Sequence, residues 1–241
     1  MSRKLRLKNR ILRKLLPLQL EVPGAQYSMI FPAHNDFSKP SQRLITLALE
    51  AVKAAQSVNL DEVEAREKKQ PYWTNVWPGE HYKLLAGLVA TIKPQLVIEI
   101  GTGTGLSSLS MKKYLPANGK IVTFDLVKAS SYPDTCLTAA DFEPDRLVQL
   151  TDDLSEMTVM EKHRTLLEAA DLLFIDAAKD GLLGKKLINN FKKLNFQNKP
   201  LFIFDDIRLW NMLKIWREIS MPKLDLTSFG HWAGTGLVEW L

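Results

Sequence analysis

Two periods alternate along the chain. Short apolar runs of strand type recur at residues 97–100, 119–125, 146–150, 171–176 and 200–204, each bounded by Gly, Pro or polar residues. Between them, apolar residues return every three to four positions at 41–67, 82–92, 106–114, 182–194 and 209–219, which predicts helices. Ser41 stands where an N-cap is needed, ahead of Leu44, Ile45, Leu47, Ala48, Ala51 and Val52 on one face. The charged run 61–69 reads as the solvated end of that helix. The tail, 223–241, alternates apolar and polar residues around a Gly-rich middle and predicts a β-hairpin closing a sheet. Strands alternating with helices give a mostly parallel sheet, with the strands' C-terminal ends on one edge. Polar residues at those ends are therefore the candidates for chemistry.

The first strand runs into Glu99-Ile100-Gly101-Thr102-Gly103-Thr104-Gly105-Leu106-Ser107. Glycine allows a sharp turn and close approach to a ligand, and the helix that follows offers free N–H groups. The dinucleotide pattern G-x-G-x-x-G is not met, because Ser107 and Ser108 stand near its third glycine. An acid followed by G-x-G-x-G instead resembles motif I of the class I S-adenosylmethionine-dependent methyltransferases. Asp125 ends the second strand about one β-α-β repeat after Glu99, where a carboxylate can take both ribose hydroxyls. Asp152 and Asp153 follow the third strand; they are turn formers or, in a fold of this kind, contacts to the adenine.

Charge changes the picture at one end only. The 32 Lys and Arg against 27 Asp and Glu give +5, but Arg3, Lys4, Arg6, Lys8, Arg10, Arg13 and Lys14 all lie in the first 20 residues, which hold no acid. Without those seven, 25 cations face 27 acids, so a basic nucleic-acid-binding face is not expected. Leu5, Leu7, Ile11, Leu12, Leu15 and Leu16 interleave with the cations and predict a basic amphipathic helix ended by Pro17. It reads as a mobile arm, as a helix on a partner subunit of a homodimer, or as contact with an anionic surface such as lipid headgroups or RNA. Residues 21–40, with Pro23-Gly24, Pro32 and Pro40, read as irregular connection. No apolar run reaches the roughly 18 residues of a membrane span, and no secretory signal is expected. The single Cys136 leaves no pair for an internal disulfide, which fits a reducing, cytoplasmic setting.

Residues 71–82 crowd two tryptophans and two tyrosines between prolines. They line a pocket for a flat or apolar ligand, or they cap the core; Trp77 and His81 are the candidates here for substrate contact. His34, His81 and His163 show no partner pattern, and each reads as solvated or packed. Asp176 ends the fourth strand and Asp205-Asp206 the fifth, so three carboxylates should converge beside the glycine loop. Three such charges repel unless something positive neutralises them. Oxygen donors alone favour a hard cation, Mg²⁺ first. As separate residues, Asp205-Asp206 is a helix cap and Asp176 a strand-end acid.

Phe174-Ile175-Asp176-Ala177-Ala178-Lys179-Asp180 resembles the D-A-x-K-D signature of the metal-dependent O-methyltransferases of the catechol and caffeoyl-CoA type. Phe204-Asp205-Asp206-Ile207-Arg208-Leu209-Trp210 resembles their second signature, an Asp-Asn pair followed by x-x-Leu-Trp. The similarity runs from about Val76 to Asp206. It implies a Rossmann-like α/β fold with a seven-stranded, mostly parallel sheet, helices on both faces and a C-terminal antiparallel hairpin. Residues 71–241 would form the methyltransferase domain, with 1–70 as an arm and helical extension. It further implies a cofactor site from Val76, Glu99, Gly101, Thr102, Gly103, Gly105, Ser107, Asp125, Asp152, Asp153 and Asp176. The cation falls to Asp176, Asp205 and Asp206, and Lys179 takes the substrate proton. Arg208, His231 and Trp232 join Trp77 and His81 as substrate candidates.

Asp206 departs from the family's Asn, as similar sugar O-methyltransferases do, and the tail 228–236 does not match the catechol enzymes. The expected activity is methyl transfer from S-adenosylmethionine, with Mg²⁺, to a hydroxyl of a small molecule with adjacent oxygens: a catechol, an enediol-like ring or a sugar. A lysine beside a cation should lose its proton more readily and serve as the base. Two alternatives remain at this stage. One is a metal-independent methyltransferase acting on nitrogen or a macromolecule through the basic arm; the other is a cofactor-binding protein without turnover.

Overall fold

The computed structural model describes residues 38–68, 73–75, 80–209 and 211–241. The arm at 1–20, most of the connection to residue 40, Val76, Trp77 and Trp210 lie outside the described residues. In chain order, α1 (Gln42–Ala55), α2 (Asp61–Glu64) and α3 (His81–Ile92) precede the first strand. Then come β1 (Leu96–Ile100), α4 (Leu106–Tyr114), β2 (Lys120–Phe124), β3 (Leu147–Leu150), α5 (Met157–Lys162), α6 (Arg164–Glu168) and β4 (Leu172–Ile175). The last part holds α7 (Leu182–Phe191), β5 (Leu201–Asp205), α8 (Met212–Glu218), β6 (Lys223–Asp225) and β7 (Thr235–Glu239).

The sheet order is β3-β2-β1-β4-β5-β7-β6. The first five strands pair in parallel, and β7 runs antiparallel to both β5 and β6. The tail is thus the hairpin its alternation predicts, with its second strand against the sheet. Strand order reverses between β1 and β4, and an open α/β sheet leaves its ligand crevice at such a switch point.

The parallel strands are apolar on both faces because both are covered. Val97, Phe174, Leu201 and Ile203 belong to one core with Leu44, Ala48, Leu84 and Leu88 of α1 and α3. Their neighbours Ile98, Leu173, Phe202 and Phe204 point to the other side, with Phe191, Ile215, Trp216 and Trp240. The segment before residue 70 therefore shares a core with the sheet wherever it is described. Its start is tied to the far end of the chain, where Ser41 and Arg43 bond the Glu239 carboxylate at 2.5 and 2.6 Å.

Ser41 caps α1 as expected, accepting from the Leu44 amide at 3.0 Å. The single helix expected over 41–67 is broken, however. Val58 and Leu60 turn inward to bury, and Asn59 accepts from the Asp61 amide at 3.1 Å, a local bond that competes with helix continuation. Nor is the charged run simply solvated: Arg66 forks onto Asp141 at 2.8 Å, and Glu67 accepts from the Trp73 and Thr74 amides. The short helices α5 and α6 have no counterpart in the sequence reading. Among the described residues no helix is long and apolar enough to cross a membrane.

Candidate active site

A cavity of about 780 Å³ opens at the carboxyl edge of the sheet, over the switch point. Its floor is the turn after β1. Gly101 has φ +100°, and a Cβ there would fall 1.7 Å from the Asp176 carbonyl oxygen. The loop after β1 and the residue ending β4 are therefore in backbone contact, which only glycine permits. Gly103 has φ +50° and nothing within 4 Å of where its Cβ would stand, so the loop has an open side. Asp125 spans the next corner, accepting from the Gly103 amide at 3.0 Å and the Val127 amide at 3.1 Å.

Gly101, Thr102, Gly103, Gly105, Ser107, Asp125, Asp152, Asp153 and Asp176 all line this cavity. Glu99 does not. It is fully buried, and its carboxylate accepts from the Ser107 and Ser108 hydroxyls. Burial pushes its carboxyl up, and the serine bonds pull it partly back. Its effect on a ligand is exerted through the first turn of α4. Asp152 bonds His163 at 2.8 Å, so that histidine is packed rather than free. Leu126, Val127, Tyr132 and Leu154 add apolar wall around the Asp125 corner. They follow strand ends without any pattern of their own, and the sequence alone did not single them out.

The far side of the cavity carries the acids. Asp176, Asp205 and Asp206 offer carboxylate oxygens that lie within 4.8 Å of one another. Asp206 sits at φ +55°, in the left-handed region where Asn and Asp are the usual non-glycine residues, so either suits this backbone. Lys179 Nζ lies 2.7 Å from Asp176, 3.2 Å from Asp206 and 3.6 Å from Asp205. Burial opposes its charge, but the three carboxylates outweigh that and raise Lys179 above the usual lysine range. The expected fall in its pKa is thus reversed for the residues taken by themselves. Lys179 thus stands directly behind Asp176 and Asp206, two acids of the cavity wall.

Two histidines complete the cluster. His231, in the β6–β7 connection, bonds Asp205 Oδ1 through Nε2 at 2.6 Å, and its Nδ1 lies 3.8 Å from Asp206. His81, at the start of α3, is buried, with Nδ1 3.2 Å from Thr235 Oγ1 and Nε2 3.8 Å from Asp205 Oδ1. The rings meet edge to face at 4.6 Å. Burial lowers the His81 pKa to about 4, which keeps the ring neutral. The same burial disfavours the Asp205 charge, yet His81, His231 and Lys179 hold that carboxyl far below the carboxylate range. Asp176 is pushed the other way, by lost hydration and by Asp205. His81 thus has partners that its sequence neighbours did not reveal, since Asp205, His231 and Thr235 are all more than 120 residues further along the chain.

The remaining candidates separate. Trp232 lines the cavity and is 62% exposed, as does Trp73 at 52%, so two tryptophans stand at its mouth. Arg208 does not line it. Its guanidinium bonds Asp225 at 2.5 and 3.1 Å and Thr227 at 3.0 Å, which anchors the hairpin.

The family model described as O-methyltransferase matches residues 50–215. No curated protein matches the chain. Among solved structures, a methyltransferase from Geobacter sulfurreducens is 18% identical with a TM-score of 0.51, over 79% of this chain and 89% of its own. A methyltransferase from Podospora anserina bound to S-adenosylhomocysteine is 15% identical with a TM-score of 0.52, over 89% and 99%. At such identities the likeness is one of fold. The family match covers well over half of the sequence, and the chain belongs to the O-methyltransferase family, on the class I S-adenosylmethionine-dependent methyltransferase fold.

Proposed function

We propose that the protein transfers the methyl group of S-adenosylmethionine to a hydroxyl of a small molecule with adjacent oxygens, assisted by a divalent cation. One observation carries the reading. Asp176, Asp205 and Asp206 converge in the same cavity as the Gly101–Gly105 loop, and Asp176 is in backbone contact with it. A nucleoside–sulfonium donor fits the loop side, where Asp125 offers carboxylate oxygens for ribose hydroxyls and Asp152 and Asp153 border the base.

The three carboxylates fit a hard cation by donor type and spacing. Such a cation, when bound, acts as a Lewis acid on an acceptor oxygen. The chain's own residues do the rest. The loop and Asp125 orient the donor so that its methyl faces the acid side, since in-line positioning supplies much of the rate. Trp73 and Trp232 flank the mouth and favour a flat acceptor. The acceptor proton passes to Lys179 Nζ. Whatever neutralises the three carboxylates removes the attraction that raises Lys179 and leaves burial, which lowers it.

The test is binding of S-adenosylhomocysteine by calorimetry in the native chain and in Asp125→Ala. The expected loss is tenfold or more, since bonds to a charged acceptor are worth about 1.5–3 kcal/mol. Equal affinity in both would move the donor off this loop.

A further inference from the structure

The acidic trio leaves the two histidines unexplained. Asp205 divides its oxygens: Oδ2 faces Lys179 at 3.6 Å, while Oδ1 is approached by imidazole nitrogens from two elements. His231 Nε2 stands at 2.6 Å and His81 Nε2 at 3.8 Å from that oxygen. The second distance is too long for a hydrogen bond. It is close to the ~3–4 Å that separates two ligand atoms bound to one ion at about 2.1 Å each.

The surroundings of His81 match those of a ligand. Its other ring nitrogen is engaged by the buried Thr235 hydroxyl at 3.2 Å. A metal-bound histidine is nearly always held in this way, through the nitrogen that does not bind. Thr235 reaches that place because residue 230 is glycine: a Cβ there would lie 2.2 Å from Thr235 Oγ1. His231 is one residue further on. The hairpin thus delivers both a ligand candidate and the group that orients the other.

We propose that His81, Asp205 and His231 form a cation site of their own, adjoining the acidic trio and sharing Asp205 with it. Two imidazoles and one carboxylate suit a first-row transition ion such as Zn²⁺ or Co²⁺, whereas carboxylates alone suit Mg²⁺. The three donor atoms already lie within 4.8 Å of one another. Only the short His231–Asp205 contact must widen, by roughly 1 Å, to admit an ion. The site does not depend on Asp176 or Asp206 binding anything, so it can stand or fall apart from the proposed function.

The probe is Co²⁺, titrated into the full chain and followed by visible absorption, with Zn²⁺ and Mg²⁺ as competitors. The native chain should bind one Co²⁺ at this site that Zn²⁺ displaces and excess Mg²⁺ does not. His231→Gln should weaken Co²⁺ by more than about 100-fold, beyond the 10–100-fold that loss of a mere orienting partner causes. Asp206→Asn should change it by less than about threefold while weakening Mg²⁺, which separates the two clusters. A Co²⁺ affinity unchanged in His231→Gln overturns the proposal, as does a native chain that binds no Zn²⁺-displaceable Co²⁺. If His231→Gln does not fold, the native chain still decides. Pulsed electron paramagnetic resonance of bound Cu²⁺ should show two imidazole nitrogens, and their absence overturns the proposal.

Discussion

The two sides of the cavity are built on opposite plans. On the loop side, polar groups are spent on one another: Glu99 on two serines, Asp125 on the Gly103 and Val127 amides, Asp153 on the Ser155 amide. On the strand-end side, three carboxylates, a lysine and two histidines share a small volume, and their pKa values are driven apart. The first plan gives a rigid cradle in which the Asp125 oxygens, each holding one amide, keep a lone pair for a ligand. The second concentrates charge that has no use for the fold alone, and such clusters are where chemistry is found. A substitution on the loop side should therefore act on donor binding and on stability, and one on the strand-end side through ions and protons.

The sharpest break of that comparison is at the seam. Gly101→Ala forces a Cβ into the Asp176 carbonyl and a left-handed φ on alanine. Backbone strain of this kind costs about 1–3 kcal/mol before the clash is added, so urea unfolding should show a loss of about 3 kcal/mol or more. A loss under about 1 kcal/mol would mean that the two sides are not locked together. Next in size is Glu99→Gln. It should lower stability by about 1–2 kcal/mol, because two buried hydroxyls lose a charged acceptor. S-adenosylhomocysteine affinity should change by less than about threefold, against tenfold or more for Asp125→Ala. An equal loss in both variants would place Glu99 on the ligand.

Arg208→Gln should cost about 1 kcal/mol by loosening the hairpin from Asp225. Methyl transfer should keep its KM, since the guanidinium is engaged by Asp225 and Thr227; a large rise in KM would return Arg208 to the substrate. An effect no larger than this lies outside the site. Burial raises and Arg66 and Thr138 lower the Asp141 carboxyl, with a net depression. A depressed acid adds stability above its unfolded pKa, and that stability is lost as pH falls through the folded value. Asp141→Asn should therefore flatten the acid limb of the stability profile by about 1 kcal/mol, since Asp141 is buried but the Arg66 side chain is 39% exposed and screened by solvent.

What the sequence made legible follows the same division. The βα alternation, the closing hairpin, the glycine loop and the strand-end acids are local patterns, and each stands where its period or motif placed it. Other features have tertiary causes that leave no local pattern. Glu99 sits in the motif but is turned inward by Ser107 and Ser108, which no spacing announces. Arg208 was drawn to Asp225, across the hairpin. His81 and His231 meet only because β7 lies against β5 and brings Thr235 opposite Asp205. The break in the first helix came from Val58 and Leu60 turning inward to bury, which outweighs helical periodicity.

The central claim is that the strand-end acids hold a cation beside a nucleoside donor, and a calorimetric Mg²⁺ titration with S-adenosylhomocysteine present tests it most directly. The native chain should show saturable binding that is lost in Asp206→Ala, while S-adenosylhomocysteine affinity without metal stays within about threefold. Mg²⁺ bound equally by the variant, or not bound by the native chain at all, would contradict it.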